Sequence, residues 1–579
     1  MLSFYTYFKN FKLGDILLKF LLLLGLFFST LWSTQLDMRL SAIIESRADQ
    51  LSDNRMERNT IKQLYRSNNN QPLWIGHARN LYALRDALQN PYFNYKYKDF
   101  SQTEIEQYSY LLHDQMNIDE KSNELAKLDI ALTRAYVELA NFIVLSDIDW
   151  DQVQDKIKDL KESKDITANW EMVRKKPVST SKLFSAITHQ NIDGFLHSLT
   201  PLSHLHADLI DALQFYQNLK GLPRIKYGKD LKLGDHYQYI MDIKKRLIIS
   251  GDLQNKNNTN DLFDEELKRA LYTYKDRFKL EQNGIIDKIT VYYMNKPMNL
   301  HIQSIITNLD KLKVFPNKFP REYIQVNLPD FTMNYFRDGY PILSMNAVVG
   351  RDARPTPIFS SYMTYLELNP KWNIPQNLVR RDLIPALLEH PDYLTEHNMH
   401  AFKGWSTKHE IKNFTVDKLL PYKDGGNIPY RFVQYPGDDN ALGRIKFMFP
   451  NKYSVYLHDT DNKSLFSRRY RVYSSGCMRL EKPFELLEVL KSRLKTKDIN
   501  LIDKYRSTLK TKVLRFTKKL PVHTTYFTVF KKNGLIYFRK DIYEYDKFIE
   551  ESQKEKFNTF RYDNGVNEND FRNDDAGLY

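Results

Sequence analysis

A histidine and a cysteine that together could support nucleophilic chemistry, His458 and Cys477, lie nineteen residues apart in the sequence. A thiol attacks readily only as the thiolate, and a neighbouring imidazole can accept its proton. Cys477 is the one cysteine of the chain, which excludes disulfides within the chain and by itself favours a structural role. If folding brings the two side chains together, they predict acyl transfer through a thioester.

Short elements on either side must position this pair. The alternation from Tyr453 to Leu457 predicts a strand that ends at His458, and Pro483 suits the first position of a helix. Nineteen extended residues would span about 60 Å, so a strand–loop–strand return has to bring Cys477 back to His458. The tight turn that Ser475-Gly476 allows would present N–H groups to an oxyanion beside Cys477.

Nearby polar residues favour the same chemistry. A backbone carbonyl at Asp459 could orient the imidazole of His458. Positive charge would favour both a thiolate and a substrate that carries carboxylates. Three arginines supply it: Arg468, Arg469 and Arg479. A metal site at His458, Asp459 and Asp461 is the weaker alternative, because no second histidine or cysteine accompanies them, and we predict no metal.

The pair lies in a stretch that predicts a β-rich domain at residues 321–545. Alternating residues run from Tyr323 to Gly350 around a two-residue turn at Asp338-Gly339, and a later hairpin turns at Asn533-Gly534. Residues 371–439 interrupt the strands as a long polar insertion, which we interpret as a lid. Under it, Trp372 and Asn369 are candidate pocket residues, although a core tryptophan is as good an interpretation.

Two helical regions precede the β-rich domain. Residues 41–225 show apolar residues at helical spacing, and residues 228–312 predict a compact helical module whose polar segment 254–260 we expect to be disordered. His204 and His206 predict an exposed turn rather than a metal site, because no carboxylate or cysteine framework accompanies them.

The two ends of the sequence predict different behaviour. Residues 1–35 contain three lysines followed by an apolar run, which predicts a membrane anchor or a signal, with the anchor favoured. Residues 552–579 are dominated by polar and charged side chains and predict a disordered tail. The net charge of +14 favours an acidic partner, yet no nucleic-acid motif is present.

The string Ser474-Ser475-Gly476-Cys477-Met478-Arg479 with an upstream histidine resembles the signature of the YkuD-type L,D-transpeptidases. The segments VVGRDARPTPIFSSYMTYLELNPKWNIP (348–375) and PGDDNALGRIKFMFPNKYSVYLHDT (436–460) are similar to the long, YcbB-like subfamily. Residues 228–312 resemble its small peptidoglycan-binding module. Met478 and Asp459 depart from the family pattern, which commonly has a β-branched residue and a glycine at these places.

The resemblance implies a multi-domain α+β protein: a helical scaffold domain and a small helical peptidoglycan-binding module, followed by a β-rich catalytic domain with a lid. It implies that a tetrapeptide stem acylates Cys477 with loss of D-alanine, and that a diaminopimelate amine of a second stem completes a 3→3 cross-link. His458 would be the base, the carbonyl of Asp459 its orienting group, and no cofactor is expected. Further oxyanion or substrate residues would be Tyr456, Ser475, Gly476 and Arg479.

Several alternatives stay open at the level of sequence. The same acyl-enzyme could pass to water, as in an L,D-carboxypeptidase, or to a protein, as in a protein-to-peptidoglycan ligase. A non-catalytic wall-binding scaffold is a third possibility. The implied location is the periplasm, with the inner membrane reached through the N-terminal segment. The sequence leaves the acceptor, the oligomeric state and any regulatory partner open.

Overall fold

The computed structural model describes residues 30–46, 51–112, 116–160, 168–404 and 408–554. The apolar run predicted as an anchor lies outside these residues except for its last few positions, and residues 555–579 of the predicted tail lie outside them too. No helix within the described ranges is long and apolar enough to cross a membrane.

The N-terminal part is built from helices around one long central helix. The helices are α1 (Thr30–Ser46), α2 (Arg55–Ser67), α3 (Ala78–Gln89), α4 (Gln102–Leu111), α5 (Ile118–Leu145), α6 (Trp150–Asp159), α7 (Thr180–Thr188), α8 (Ile192–Leu199) and α9 (Ser203–Asn218). Helix α5 begins at a capping box formed by Asn117 and Glu120, and its apolar face is buried against α1, α2 and α4. Inside it, the carboxylate of Asp129 accepts hydrogen bonds from three successive backbone N–H groups, Leu73 to Ile75.

The predicted module at 228–312 contains α10 (Tyr239–Ile249), α11 (Glu265–Arg277), α12 (Lys288–Asn295) and α13 (Met298–Leu312). Its polar segment is ordered, contrary to the prediction of disorder. The buried ammonium of Lys244 donates to Asn258, Asn260 and Asp264 at 2.6 Å each. An unpaired buried cation is costly, so this lysine fixes the loop that satisfies it.

One nine-stranded sheet forms the β-rich domain. Its strands are β1 (Glu322–Asn327), β2 (Thr332–Arg337), β3 (Tyr340–Gly350), β4 (Ser360–Leu368), β9 (Ile445–Met448), β10 (Leu457–His458), β11 (Val472–Ser474), β12 (Met478–Leu480) and β13 (Lys512–Thr525), in the order β11-β3-β12-β10-β9-β4-β13-β1-β2. Strand β2 also pairs with β3, so the sheet closes on itself. Closure buries an interior that alternate residues of every strand line.

The insertion between β4 and β9 has its own sheet and its own core. Strands β5 (Trp372–Asn373), β6 (Met399–Lys403), β7 (Glu410–Ile411) and β8 (Tyr430–Gln434) pair in the order β5-β8-β6-β7. Short helices α14 (Gln376–Leu378), α15 (Ile384–Glu389) and α16 (Tyr393–Glu396) accompany them, with a π-helical turn at Val379–Leu383 between the first two. A separate apolar cluster around Ile384, Leu419 and Phe432 holds the insertion together.

The remaining elements close the domain. They are α17 (Pro483–Leu490), α18 (Thr496–Ile499), α19 (Ile502–Arg506), the hairpin β14 (Val529–Lys532) and β15 (Leu535–Phe538), and α20 (Tyr545–Glu551). Residues of the helical part, the module and the β-rich domain share one continuous apolar core. The side chain of Lys311 on α13 reaches into the β-rich domain and donates to Tyr526 and Asp546. The predicted multi-domain α+β arrangement, helices first and a β-rich domain after, is confirmed.

Details of the strand predictions were both right and wrong. The turns at Asp338-Gly339 and Asn533-Gly534 are confirmed, with positive φ at both residues of each pair, and α17 begins at Pro483. The strand predicted over Tyr453–Leu457 is wrong except at Leu457. Residues 453–456 form a loop and β10 has only two residues, because the side chain of Asn451 hydrogen-bonds the backbone of that loop in place of a strand ladder.

Candidate active site

The pairing of β10 with β12 brings the predicted pair of residues together. The two strands run parallel, with Leu457 opposite Met478 and His458 opposite Arg479. Side chains alternate between the two faces of a sheet. Met478 and Leu457 are buried in the core, so His458 and Arg479 share the other face. One step back, the N–H of Met478 donates to the carbonyl of Tyr456, which places Tyr456 beside Cys477.

Cys477 is partly accessible and lines a large cavity. Its Sγ lies 4.0 Å from the carbonyl oxygen of Ser454. Burial raises the pKa of the thiol to about 11, against hydrogen bonds from Tyr456 and the positive charges of Arg479 and Lys446. Desolvation therefore outweighs the nearby cations, and the cysteine rests as a neutral thiol at neutral pH.

His458 is buried and rests neutral as well. Burial lowers the pKa of its imidazole to about 3, and the charge of Arg479 acts in the same direction, while hydrogen bonding to the backbone of Asp459 opposes both. Its Nδ1 atom is nonetheless buried without a hydrogen-bond partner of good geometry. The Tyr456 ring stands edge-on to the imidazole at 5.6 Å between centroids. A neutral imidazole is the form that can accept a proton.

The Asp459 side chain braces the strand end. Its carboxylate accepts from the backbone N–H of Arg444 at 2.9 Å and pairs with Lys463. Gly443 adopts φ +60, and a Cβ there would lie 2.5 Å from the Asp459 side chain. The sequence predicts a role for the Asp459 carbonyl, and that role stays a prediction. No role was predicted for the carboxylate, which holds the end of β10 in place.

The turn before Cys477 is held by its own side chains. The N–H of Gly476, with φ +109, donates to Ser474 Oγ at 3.1 Å, and Ser474 Oγ donates to the carbonyl of Cys477. The Gly476 N–H predicted as an oxyanion donor is therefore engaged within the turn. Thr356 Oγ1 donates to the Gly476 carbonyl at 2.9 Å.

Ser475 is contacted from a second direction. The guanidinium of Arg354, only 5% exposed, donates to Ser475 Oγ at 2.8 Å. The same nitrogen lies 3.4 Å from a carboxylate oxygen of Asp382, which belongs to the π-helical turn of the insertion. Arg354 thus connects the turn that carries the cysteine to the predicted lid.

A cavity of about 970 Å³ lies over the cysteine. Its floor is the turn at residues 474–477 with β10 and β12, and one wall is the insertion, which contributes Trp372 and the π-helical turn. Asn169, from the helical part, completes the rim. Of the two candidate pocket residues, Trp372 lines the cavity. Asn369 is buried elsewhere, and its amide donates to three backbone carbonyls of residues 505–510.

Of the other residues singled out in the sequence, only some lie at the cavity. Arg479 lines the cavity, and its Nε is buried without a partner, whereas Arg468 and Arg469 are not among the lining residues. The turn predicted at His204 and His206 is wrong, because both residues lie on α9. His204 is exposed as predicted, but His206 is buried with Nε2 2.7 Å from the Tyr92 carbonyl. No cluster of metal-binding side chains occurs in the described ranges.

Sequence reasoning missed four residues around the cavity. Asn169 and Glu171 come from a segment that precedes the cysteine by some three hundred residues, and no spacing could have indicated them. The backbone of this segment bonds Ile358, and Glu171 accepts from Tyr453 and pairs with Lys452. Arg354 lies in the segment 348–375 that resembles the long subfamily, but the sequence does not indicate that its side chain is buried. Asp382 was one charge among many in the insertion.

Two family models match the chain. Residues 321–523 match the L,D-transpeptidase catalytic domain called YkuD, and residues 59–213 match a scaffold domain. A Haemophilus influenzae protein named "Putative L,D-transpeptidase" is 34% identical over 252 residues, which are 43% of this chain and 49% of that protein. The chain thus spans about half the length of the curated relative it matches.

Solved structures were also compared. An L,D-transpeptidase of Xylanimonas cellulosilytica is 11% identical, covers 52% of this chain and 99% of its own, and has a TM-score of 0.18. The Ldtfm–avibactam carbamoyl enzyme is 12% identical, covers 55% of this chain and 98% of its own, and has a TM-score of 0.18.

Proposed function

We propose that this chain, in which residues 321–523 match the YkuD L,D-transpeptidase catalytic domain, forms 3→3 cross-links in peptidoglycan through an acyl-enzyme on Cys477. The observation that carries the proposal is the parallel register of β10 and β12. This register sets His458 and the turn of Cys477 side by side under a cavity large enough for a peptide stem.

Acylation would begin from the neutral pair. As the thiol of Cys477 approaches the diaminopimelate carbonyl of a tetrapeptide stem, its proton passes to the imidazole of His458. Sulfur bonds to the carbonyl carbon, the bond to the D-alanine nitrogen breaks, and His458 returns the proton to the departing amine. The thiolate forms only with substrate in place, because burial disfavours both charged side chains in the empty site.

Charge in the cavity supports a stem peptide as the donor. Arg351 and Arg479 line the cavity on the side of the turn at residues 474–477. A tetrapeptide stem carries several carboxylates, and guanidinium groups bind carboxylates with charge-assisted hydrogen bonds. The Nε–H of Arg479 is buried without a hydrogen-bond partner and can donate to such a carboxylate. Tyr456 is the candidate oxyanion donor, because it lies beside Cys477 and lines the same cavity.

The second step decides between the related activities. Attack of an amine on the thioester gives the 3→3 link, attack of water gives a carboxypeptidase, and a protein amine gives a ligase. A non-catalytic wall-binding scaffold would leave the cysteine unacylated. A basic groove of about 510 Å³ at the edge of the module contains Arg224, Lys226 and Lys288. It suits an acidic wall polymer whether the chain is an enzyme or a scaffold.

We further propose that the chain works in the periplasm from the inner membrane. The support is the basic and apolar pattern of residues 9–32. An epitope-tagged chain should fractionate with membranes and resist an alkaline wash. Recovery in the cytoplasm would contradict this location.

The experiment that tests the function uses purified chain and a tetrapeptide stem with diaminopimelate. Mass spectrometry should show a tripeptide acyl group on Cys477 and then a 3→3 dimer. Cys477→Ala should give neither product. A chain that never acylates would overturn the enzyme, and a chain that acylates but yields only tripeptide would be a carboxypeptidase.

A further inference from the structure

The cavity over Cys477 contains charges of both signs in unequal number. Four cationic side chains line it: Arg351, Arg380, Lys452 and Arg479. Among its described lining residues, Asp382 is the one carboxylate. The carboxylates of a diaminopimelate stem suit these cations. A carboxylate facing the same space suits an ammonium, the group that the side chain of diaminopimelate carries.

The position of Asp382 relative to the cysteine is fixed by Arg354. One guanidinium nitrogen of Arg354 contacts both Ser475 Oγ, at 2.8 Å, and Asp382 Oδ2, at 3.4 Å. The carboxylate therefore lies within two hydrogen-bond lengths of the Ser475 hydroxyl. Asp382, Ser475 and Cys477 all line this cavity, so a group bound at Asp382 shares the cavity with an acyl group on the sulfur.

The ion pair with Arg354 does not occupy the whole Asp382 carboxylate. The contact with Arg354 is long for a hydrogen bond, and 53% of the Asp382 side chain remains exposed. Arg354 has its shorter bond to Ser475. The carboxylate thus keeps oxygen lone pairs free for a second donor.

The backbone at Asp382 is also unusual. It lies on the π-helical turn at Val379–Leu383, between α14 and α15. Single π-helical turns often occur at functional sites, where they turn a side chain away from the regular helical spacing. The neighbouring Arg380 is engaged with the backbone of the insertion, at the carbonyls of Tyr422 and Gly426. The turn therefore leaves Asp382 as its acidic group at the cavity.

From these observations we propose that Asp382 binds the ammonium of the acyl acceptor and so favours aminolysis over hydrolysis. This inference rests on the proposed function. An acceptor amine is protonated at neutral pH, and a carboxylate holds it beside the thioester by a charge-assisted hydrogen bond. The amine loses one proton to solvent and attacks the thioester carbonyl. The carbon–nitrogen bond forms, the carbon–sulfur bond breaks, and the second amine proton passes through His458 to the Cys477 sulfur.

The test measures how the acyl-enzyme divides between its two products. Wild-type chain is incubated with the diaminopimelate tetrapeptide as donor and acceptor, and the ratio of 3→3 dimer to tripeptide is measured. Asp382→Asn should lower this ratio about tenfold, since one charge-assisted hydrogen bond is lost. Asp382→Glu, which keeps the charge, should restore most of it.

The control and the acylation step separate the outcomes. Asp417→Asn makes the same change at an exposed position of the insertion that does not line the cavity, and it should leave the ratio unchanged. The rate at which Cys477 is acylated should change far less than the ratio. An unchanged ratio in Asp382→Asn, or equal loss of acylation and dimer, overturns the assignment of Asp382. Failure of the wild type to acylate overturns the proposed function itself, and the acceptor assignment with it.

Discussion

The hydroxyl of Tyr453 donates a 3.0 Å hydrogen bond to the carboxylate of Glu171, across 282 positions of sequence. Lys452 pairs with the same carboxylate at 2.9 Å. The next residue, Ser454, adopts φ +56, and its carbonyl faces the Cys477 sulfur. A segment of the helical part therefore holds the loop that forms one side of the nucleophile's surroundings.

Glu171→Gln should slow the acylation of Cys477. The change removes the ion pair with Lys452 and weakens the acceptor for Tyr453, so the Ser454 loop loses its anchor. We expect kcat/KM for the donor to fall about three- to tenfold, as for the loss of one charge-assisted bond. Stopped-flow acylation measures it, with the melting temperature as a check on folding. Glu106→Gln, at an exposed position of α4, is the matched control. Equal rates in both variants would refute this role.

The pH profile of acylation should be flat over the middle range. The pKa of His458 is lowered to about 3 and that of Cys477 is raised to about 11, both by burial. Between these values the imidazole stays free to accept a proton and the thiol keeps its own. We therefore expect no inflection from this pair in kcat/KM between about pH 5 and 9. A rise with a midpoint near 8.5, the ordinary value for a thiol, would instead indicate a solvated cysteine.

The rate at which iodoacetamide alkylates Cys477 should also depend on the raised pKa of its thiol. Iodoacetamide reacts with the thiolate, so labelling of Cys477 should remain slow at neutral pH and accelerate toward pH 11. Fast labelling at pH 7 would mean that a thiolate already exists without substrate.

His206 should destabilise the fold in acid. Burial lowers the pKa of its imidazole to about 4, so between pH 6.5 and 4 the unfolded chain binds a proton that the folded chain does not. Stability from this group is present above about pH 6.5 and is lost as the pH falls, by on the order of 3 kcal/mol. His206→Gln should flatten the denaturant-unfolding profile in this window. His204→Gln, whose side chain is 85% exposed, should leave it unchanged. Parallel profiles for wild type and His206→Gln would contradict the assignment.

Lys311 should be essential to the junction between the module and the β-rich domain. Its ammonium is fully buried and donates to Asp546 at 2.6 Å and to the Tyr526 carbonyl at 2.9 Å. Lys311→Met leaves the Asp546 carboxylate buried without its cation, which costs about 3–5 kcal/mol of unfolding free energy. Denaturant unfolding measures it, with exposed Lys288→Met as control. A loss below 1 kcal/mol would show that water or another group replaces the lysine.

Local patterns predicted what local physics decides. The turns at Asp338-Gly339 and Asn533-Gly534 need positive φ, and glycine marks them in the sequence. The pairing of His458 with Cys477 was predictable because its residue types and spacing are specific. The loop at Tyr453 was predicted as a strand because alternation alone cannot show that Asn451 will bond its backbone.

What escaped prediction depends on contacts between distant parts of the chain. Glu171 reaches the Tyr453 loop because Asn169 and Glu171 bond the backbone of Ile358. His206 was predicted to be exposed because its neighbour Tyr92 lies more than a hundred positions away. Asp382 is connected to the cysteine turn only through Arg354, which is distant from it in sequence. None of these relations leaves a periodic signal in the sequence.

Because β10 and β12 pair in parallel, the distance between His458 and Cys477 does not depend on the number of residues that connect the two strands. Parallel neighbours cannot be joined by a tight turn, so the chain leaves β10, passes through the 3₁₀ segment Lys463–Ser467 and strand β11, and then turns into β12. The ladder between β10 and β12, and not the 3₁₀ segment, sets where the residue before Met478 lies relative to His458. A reporter group attached at exposed Ser464 on this excursion therefore leaves base and nucleophile in place, provided that Lys463, which pairs with Asp459, and the buried Phe466 are kept. That makes the excursion the natural place to attach a fluorophore or an affinity handle to a working enzyme.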